Sequence, residues 1–334
     1  MINIESQVRF LEVISALKKH TPKNIDQCFR FVGSGKAGIG LVLSYLAEKQ
    51  ILENKMSEII VPPWMGTWVY SSMLPFCYPV LQSNTAKVAW CYHQFGFPQN
   101  LDKFMNIAID RNLIVVEDCA HSIFSSYNGK KLGSFGDFSI YSYSKFHFCF
   151  TLGGVSSEDN DFMNFVDKLI NNAPFKLRIF HTFSKLLSSI SSNSSQNSAT
   201  FSLTEMSYAG YYRQPSPSKI AIKMWANNQN LEFDKRQENY SIILNEMQRF
   251  GLCSGLEKEG VVPYAVPLNI KSDKIESVIE KLKQIGIVAI VRQFDINRCL
   301  FDPNYQSRVI LPIHSGVTSN IMDKIVTTLK EVHK

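Results

Sequence analysis

The sequence predicts an α/β protein with a mostly parallel sheet in a large domain, followed by a small C-terminal α/β domain. In the stretch 114–118, three β-branched residues end in two acidic ones, as a buried parallel strand does. The length of 334 residues suits one large domain and a smaller one. The last quarter of the chain alternates predicted strands and helices. We therefore expect a large domain over residues 1–228 and a small domain over residues 229–334.

The composition is that of an ordinary globular enzyme, with 45% hydrophobic residues, 19% charged residues and a formal net charge of +6. No basic run with interleaved aromatic residues indicates nucleic-acid binding. No apolar run is long enough to span a bilayer, and the amphipathic N-terminal residues do not form a signal peptide. The seven cysteines never occur as C-x-x-C, which predicts reduced thiols and no metal site. We expect a cytoplasmic protein.

A glycine turn near the N-terminus is the first candidate binding feature. The apolar run from residue 29 ends in Gly33-Ser34-Gly35, and helical spacing follows over residues 39–46. Such a turn places backbone N–H groups at the positive end of a helix dipole, where a phosphate can bind. On composition alone, a tight turn without a ligand explains these residues better.

The remaining elements are predicted from periodicity and turn residues. In the large domain we expect strands over 58–62, 88–92, 114–118 and 138–143, and helices over 101–112 and 159–172. A hairpin turn is expected at Tyr127-Asn128-Gly129-Lys130. The serine-rich segment of about residues 184–202 predicts a flexible loop. In the C-terminal part we expect helices over 230–248, 272–285 and 320–332, and a strand over 287–292.

The central stretch from Val115 to Gly154 offers an acid, a hydroxyl and an amine within one segment: Asp118, Ser142 and Lys145. Asp118 ends a predicted parallel strand, and in open α/β sheets ligands bind at that edge. Without further information, Asp118 also fits a helix N-cap.

These residues, in this order, resemble the PLP-dependent nucleotide-sugar aminotransferases of the DegT/DnrJ/StrS group. The family pattern is E-D-x-A-[HQ], then Y-x-G-K-x-x-G-x-F-G-D, then [FY]-S-[FY] before a lysine and a paired glycine. The stretches 93–102, 210–213 and 311–316 are also similar. The resemblance implies the PLP-dependent transferase fold (aspartate aminotransferase fold type I), pyridoxal 5'-phosphate as cofactor, and a homodimer with its active site at the interface.

The resemblance also implies roles for individual residues. Asp118 would bind the pyridinium nitrogen, and His121 would lie near the ring hydroxyl. An aromatic residue stacks on the ring in this family, and Trp64 and Trp68 both remain possible; at least one of the two is expected to be a core tryptophan. The phosphate would be held by the residues Ser34, Gly35, Lys36, Ser142 and Arg213.

Two of these positions depart from the family. Lys36 stands where relatives have a threonine, and it exchanges a hydroxyl for a cation that could also reach phosphate. Residues 210–213 resemble the family's G-Y-N-Y-R motif but lack its asparagine, which in relatives reaches the cofactor phosphate of the partner subunit. Arg213 or Tyr211 would make this contact instead. The short connection between residues 81 and 88 also lacks a segment that contacts substrate in relatives.

The position of the nucleophile leaves two alternatives open. The family lysine lies either three or five residues after the serine, which gives Lys145 or His147. With Lys145, the enzyme holds the PLP aldehyde as a Schiff base and transfers amino groups. With His147, the chain would resemble the PLP-dependent sugar 3-dehydratases, in which histidine acts as the base.

We therefore expect an aminotransferase that uses Lys145, Asp118 and His121 in catalysis. The expected amino donor is L-glutamate, and the acceptor is a keto group of a nucleotide-linked deoxysugar used in glycan or surface polysaccharide biosynthesis. The alternatives are the dehydratase based on His147 and an inactive sugar-binding or regulatory homologue. His147 and His314 are candidates for substrate contacts, and a structural turn explains His314 about as well.

Overall fold

The computed structural model describes residues 1–5, 27–173, 215–256 and 258–333. The serine-rich segment 184–202, the N-terminal helical pattern and Arg213 lie outside these residues. Within the described ranges, no helix has both the length and the apolar character that a membrane crossing requires.

Parallel strands dominate the central sheet. The strands between residues 29 and 156 are β1 (Phe29–Val32), β2 (Glu58–Ile60), β3 (Tyr78–Val80), β4 (Val88–Tyr92), β5 (Ile114–Asp118), β6 (Ser126–Tyr127), β7 (Lys130–Lys131), β8 (Phe138–Ser142) and β9 (Gly153–Ser156). Seven of them form one sheet in the order β1-β9-β8-β5-β4-β2-β3. In this sheet β9 is antiparallel to both of its neighbours, β1 and β8, and the other neighbouring pairs are parallel. Strands β6 and β7 form a separate hairpin.

The hairpin shows how turn residues determine local structure. Asn128 and Gly129 both have positive φ, at 49° and 77°, as a tight hairpin turn of this type requires. The turn was predicted from the Asn-Gly pair, and β6 and β7 flank it.

Helices cover the sheet and connect it to the C-terminal part. They are α1 (Gly35–Glu48), α2 (Thr67–Met73), α3 (Leu101–Asp110), α4 (Tyr143–Phe146), α5 (Asn160–Asn172) and α6 (Lys219–Met247). Four of them begin at a side-chain N-cap: Ser34 caps α1, Asn100 caps α3, Asp159 caps α5 and Ser218 caps α6, each accepting from a backbone N–H of the first turn. The 29-residue helix α6 passes through the predicted boundary at residue 228 without interruption.

A smaller antiparallel sheet lies C-terminal to α6. Its strands are β10 (Ala265–Leu268), β11 (Ile290–Asp295) and β12 (Tyr305–Pro312), in the order β10-β12-β11. Helices α7 (Ile275–Gln284) and α8 (Ser319–His333) pack on each other, and α8 contacts α6. The predicted fold class, a mostly parallel sheet followed by a small α/β layer, is confirmed.

Some boundaries differ from those predicted. Helix α6 begins at residue 219 rather than 230, because Ser218 caps it by accepting from the N–H of Ala221. Strand β11 begins at Ile290 rather than at residue 287, because residues 286–288 hydrogen-bond to Ile2 and pairing with β12 starts only at Ile290. These differences do not move any residue proposed for the site.

Candidate active site

Asp118 lies at the C-terminal end of β5 in the middle of the large sheet, and only 4% of it is exposed. Its Oδ2 accepts a hydrogen bond from Trp90 Nε1 at 3.0 Å, and its Oδ1 accepts from the backbone N–H of Ala120 at 2.9 Å. Each carboxylate oxygen therefore has one donor fixed by the protein, and each retains a lone pair for a further donor. Trp90 is fully buried in the neighbouring strand β4, so it holds the carboxylate rigidly.

His121 follows β5 and has a partner at each ring nitrogen. Tyr92 Oη lies 2.7 Å from Nδ1, and Lys145 Nζ lies 2.8 Å from Nε2. The imidazole is also stacked between two aromatic rings, with centroids 4.5 Å from Tyr264 and 5.8 Å from Phe95 and an interplanar angle of 8° in both cases. Burial lowers the pKa of His121 well below its ordinary value, and the charges of Lys145 and Arg236 act in the same direction. His121 is therefore a neutral imidazole near pH 7.

Ser34, Gly35 and Ser142 come together where α1 begins and β8 ends. A Cβ on Gly35 would lie 3.0 Å from Ser142 Cβ and 3.2 Å from Ser142 Oγ. A Cβ on Gly153 would lie 2.2 Å from the carbonyl carbon of Ser34. Gly153 is therefore required for this close approach, and a side chain at Gly35 would be tightly packed; the approach brings two hydroxyl-bearing residues to the N-terminus of a helix of 14 residues. A helix N-terminus of this kind can accept a phosphate group, as the sequence predicts.

We call Ser34, Gly35 and Ser142 at the start of α1 the phosphate cradle. This cradle, the carboxylate of Asp118 and the amine of Lys145 fit the three polar ends of PLP: its phosphate, its ring nitrogen and its aldehyde. The predicted phosphate residues Ser34, Gly35 and Ser142 thus lie together. Arg213, the other residue proposed for the phosphate, belongs to the part of the chain that is not described.

The sequence left open what Lys36 contacts and which of Trp64 and Trp68 is buried. Lys36 Nζ lies 4.9 Å from the centroid of the Trp68 ring, within the range of a cation–π contact. Trp64 is 54% exposed and Trp68 is 39% exposed. The expectation that at least one of the two is a core tryptophan is therefore wrong. A stacking role on the cofactor stays a prediction for both.

His147 contacts helix α6. Its Nδ1 lies 3.2 Å from Glu232 Oε1, and both side chains are almost completely buried. Glu232 also accepts hydrogen bonds from the hydroxyl and the backbone N–H of Ser315. Burial alone would raise the pKa of Glu232, but the hydrogen bond from His147 and the charge of Arg236 more than offset this and lower it to about 2.

Arg236 extends this network to the site. Its Nε lies 3.3 Å from Glu232 Oε2, and it donates from Nη1 to the Tyr264 carbonyl at 2.6 Å and from Nη2 to the Phe146 carbonyl at 3.1 Å. Burial lowers the pKa of Arg236 and Glu232 opposes this shift; the guanidinium remains charged because its ordinary pKa is far above neutral. The residues that follow Lys145 are thereby tied to the loop that carries Tyr264.

His314 has backbone partners on both ring nitrogens. Its Nε2 lies 2.8 Å from the carbonyl oxygen of Asn3, and its Nδ1 accepts from the N–H of Gly316 at 3.0 Å. Only 2% of this residue is exposed. The geometry favours the structural explanation of His314 over a substrate contact.

One buried cluster has the residue types of a metal site but a different role. His93, Glu117 and Cys119 bring their side-chain ligand atoms within 4.8 Å of one another. However, His93 Nδ1 accepts from the N–H of Gln99, so Nε2 carries the proton and donates to Glu117 at 2.9 Å. Glu117 also accepts from three backbone N–H groups of residues 133–136. This carboxylate anchors the loop between the hairpin and β8.

Sequence reasoning missed several residues that contact the predicted site. Trp90 and Tyr92 could have been found, because β4 is parallel to β5 and Tyr92 pairs with Asp118 at the same sheet edge. Tyr264, Glu232 and Arg236 carry no local motif and reach the site from more than 80 residues away along the chain.

Residues 80–173 match the model of the DegT/DnrJ/EryC1/StrS aminotransferase family. A segment of 61 residues is 41% identical to GDP-perosamine synthase of Escherichia coli O157:H7, covering 18% of this chain and 17% of that protein. The uncharacterized protein MJ1066 of Methanocaldococcus jannaschii is 26% identical over 264 residues, which are 72% of this chain and 65% of MJ1066. The matches thus span less than two thirds of either relative.

The fold is similar to that of solved aminotransferases over almost the whole chain. The aminotransferase TlmJ from Streptoalloteichus hindustanus superimposes with a TM-score of 0.70 at 12% identity, covering 99% of this chain and 98% of that one. The predicted fold, that of the PLP-dependent transferases, is confirmed. The predicted resemblance is confirmed as well: residues 80–173 match the DegT/DnrJ/EryC1/StrS aminotransferase family model, and the fold is similar to that of solved aminotransferases.

Proposed function

We propose that this chain is a PLP-dependent sugar aminotransferase in which Lys145 attaches the cofactor. The observation that carries the proposal is the position of Lys145 Nζ, 2.8 Å from His121 Nε2 on the ligand-binding edge of the sheet. The side chain of His147, the alternative, lies 3.2 Å from Glu232 of helix α6. The family relationship supports the same assignment.

PLP supplies an electrophilic aldehyde and a ring that accepts electrons from a neighbouring carbon. The residues that would hold it are Asp118 at the ring nitrogen, and Ser34, Gly35 and Ser142 at the phosphate. Asp118 is suited to this because its two oxygens are fixed by Trp90 and a backbone N–H and still have accepting capacity. A carboxylate at that point keeps a protonated ring nitrogen charged.

Lys145 is suited to proton transfer as well as attachment. A lysine amine within hydrogen-bond distance of a neutral imidazole can give up and regain a proton during each turnover. His121 stays neutral chiefly because of its burial. The stack of Phe95 and Tyr264 holds its ring plane, so the imidazole keeps its distance to the amine.

The substrates belong to the proposal. We propose a nucleotide-linked keto sugar as acceptor and L-glutamate as donor, in glycan or surface polysaccharide biosynthesis. Support comes from the resemblance and from the similarity of a 61-residue segment to the GDP-perosamine synthase of E. coli. A homodimer is proposed on the resemblance alone.

The test uses the purified full-length protein with PLP, L-glutamate and a panel of GDP-, UDP- and dTDP-linked keto deoxysugars. We expect release of 2-oxoglutarate and an amino-sugar product, measured by mass spectrometry. Lys145→Ala should lower turnover by several orders of magnitude. His147→Ala should retain turnover. An active Lys145→Ala protein that requires His147 and releases water from the keto sugar would make the enzyme a dehydratase and refute the proposal.

A further inference from the structure

Tyr92 occupies a position next to the site that neither the motifs nor the proposed roles use. It is the last residue of β4, and its hydroxyl lies 2.7 Å from His121 Nδ1. On the other side of the same ring, Nε2 faces Lys145 Nζ at 2.8 Å. The three side chains therefore form a continuous hydrogen-bonded line from a phenol through an imidazole to the proposed attachment lysine.

The imidazole cannot adapt by turning. Parallel stacking between Phe95 and Tyr264 fixes the ring plane, at an angle of 8° to each neighbour. The loop that carries Tyr264 is in turn held by Arg236, which donates to the Tyr264 carbonyl. With the plane fixed, the position of the ring proton is the property of His121 that remains to be set.

A neutral imidazole carries one proton, so its two ring nitrogens take opposite roles, and the tautomer decides whether Lys145 donates, as an ammonium does, or accepts, as only a neutral amine can. In the first arrangement, the Lys145 ammonium donates to Nε2, and Nδ1–H donates to the Tyr92 oxygen. In the second, the Tyr92 hydroxyl donates to Nδ1, and Nε2–H donates to the lone pair of a neutral Lys145 amine. From the first to the second, the ammonium proton moves to Nε2, the Nδ1 proton moves to Tyr92, and the original phenol proton leaves to solvent. The lysine loses its positive charge as one proton is released.

The protonated phenol of Tyr92 favours the second arrangement. Burial raises the pKa of Tyr92 well above its ordinary value, and the charge of Asp118 adds to this, so the phenol keeps its proton and is available as a donor. A neutral phenol is a better donor than acceptor towards an imidazole nitrogen. The other charged or titratable groups facing this line are Arg236 and Tyr264 around His121, and Tyr70 and Tyr305 around Tyr92. Arg236 disfavours a second cation nearby, whereas Asp118 acts in the opposite sense.

We propose that Tyr92 is a positioning residue that fixes the proton of His121 on Nε2 and thereby holds Lys145 as a neutral amine, ready to attack an aldehyde. This rests on the proposed function of Lys145. Only a neutral amine has the lone pair that such an attack needs. Tyr92 itself touches neither the reacting amine nor the aldehyde, and it acts through His121.

The test has two readouts, both on the full chain freed of cofactor. The first is the ¹⁵N spectrum of histidine-labelled protein, in which protonated and unprotonated ring nitrogens are separated; His121→Gln assigns the signals. We expect Nε2 protonated and Nδ1 unprotonated in the wild-type protein. The opposite tautomer would overturn the proposal, and this result needs no Tyr92 variant to fold.

The second readout is trace acylation of Lys145 with acetic anhydride as a function of pH, quantified on the Lys145 peptide by mass spectrometry. Tyr92→Phe should lower labelling at pH 7 by about tenfold, since an ordinary hydrogen bond is worth about that factor in an equilibrium. Tyr45→Phe is the matched control, because it also loses one phenol hydrogen bond, to Asp159, away from this line. Unchanged labelling in Tyr92→Phe, or an equal fall in the control, would overturn the proposal.

These outcomes are separable from the proposed function. Both readouts are taken without cofactor and without turnover, so a protein that proves not to be an aminotransferase can still show the expected tautomer. Conversely, cofactor attachment to Lys145 in a protein with Nδ1 protonated would refute the role of Tyr92 alone.

Discussion

Glu232→Gln removes one charge from the buried network behind Lys145 and leaves the side-chain volume unchanged. The pKa of Glu232 is lowered from 4.5 to about 2 in the folded protein, a difference of about 2.5 units. At about 1.4 kcal/mol per unit, the charged form contributes about 3 kcal/mol to the free energy of unfolding at pH 7. We expect the variant to lose stability of this order.

The sign of the pH dependence follows from the direction of the shift. Because the folded pKa is depressed, the stabilisation is fully present above the unfolded value of about 4.5 and is lost as the pH falls through about 2. The gap in unfolding free energy between wild type and variant should therefore shrink from about 3 kcal/mol at pH 7 to about 1 kcal/mol at pH 3.

Urea unfolding followed by circular dichroism at several pH values measures this gap. The control is Glu238→Gln on the same helix, because Glu238 forms an exposed ion pair with Lys235. Exposed pairs contribute little, and we expect the control to stay within about 0.5 kcal/mol of wild type at every pH. A Glu232→Gln protein as stable as the control, or a gap that does not change with pH, would refute the reasoning.

Two further predictions concern the cofactor site. Asp118→Asn should fold, with its free energy of unfolding lowered by about 1–3 kcal/mol, because one of the two donors to Asp118, Trp90 or a backbone N–H, would face the amide NH₂. The turnover of this variant should nearly vanish. Wild-type kinetics would remove Asp118 from the site. Gly153→Ala should sharply weaken PLP binding in a fluorescence titration, because its Cβ would clash with the Ser34 backbone. Gly66→Ala, whose Cβ would meet only Val69 at 4.0 Å, is the control, and equal affinities would count against the phosphate cradle.

The sequence predicted those features that depend on neighbours in the chain. The β-branched run before Asp118 gave β5 at its observed residues, and Asn128-Gly129 gave the hairpin, because both signals are local. The sequence also shows directly that an acid, a hydroxyl and an amine, Asp118, Ser142 and Lys145, follow one another along one segment. The resemblance then supplied the chemistry that these residue types perform.

Contacts between distant parts of the chain were not predictable in this way. His147 contacts Glu232 across 85 residues, and no local pattern shows this contact. The burial of Trp64 and Trp68 was misjudged for a related reason: helical spacing shows which residues share a face, but it does not show whether another element covers that face.

The central claim is that Lys145 attaches the cofactor, and borohydride reduction of the PLP-loaded protein tests it most directly. Reduction converts a cofactor–lysine linkage into a stable bond, which peptide mass spectrometry then locates. We predict the reduced pyridoxyl mass on Lys145, its loss in Lys145→Ala, and its retention in His147→Ala. A PLP-loaded wild-type protein that carries no such mass on Lys145 after reduction would contradict the account.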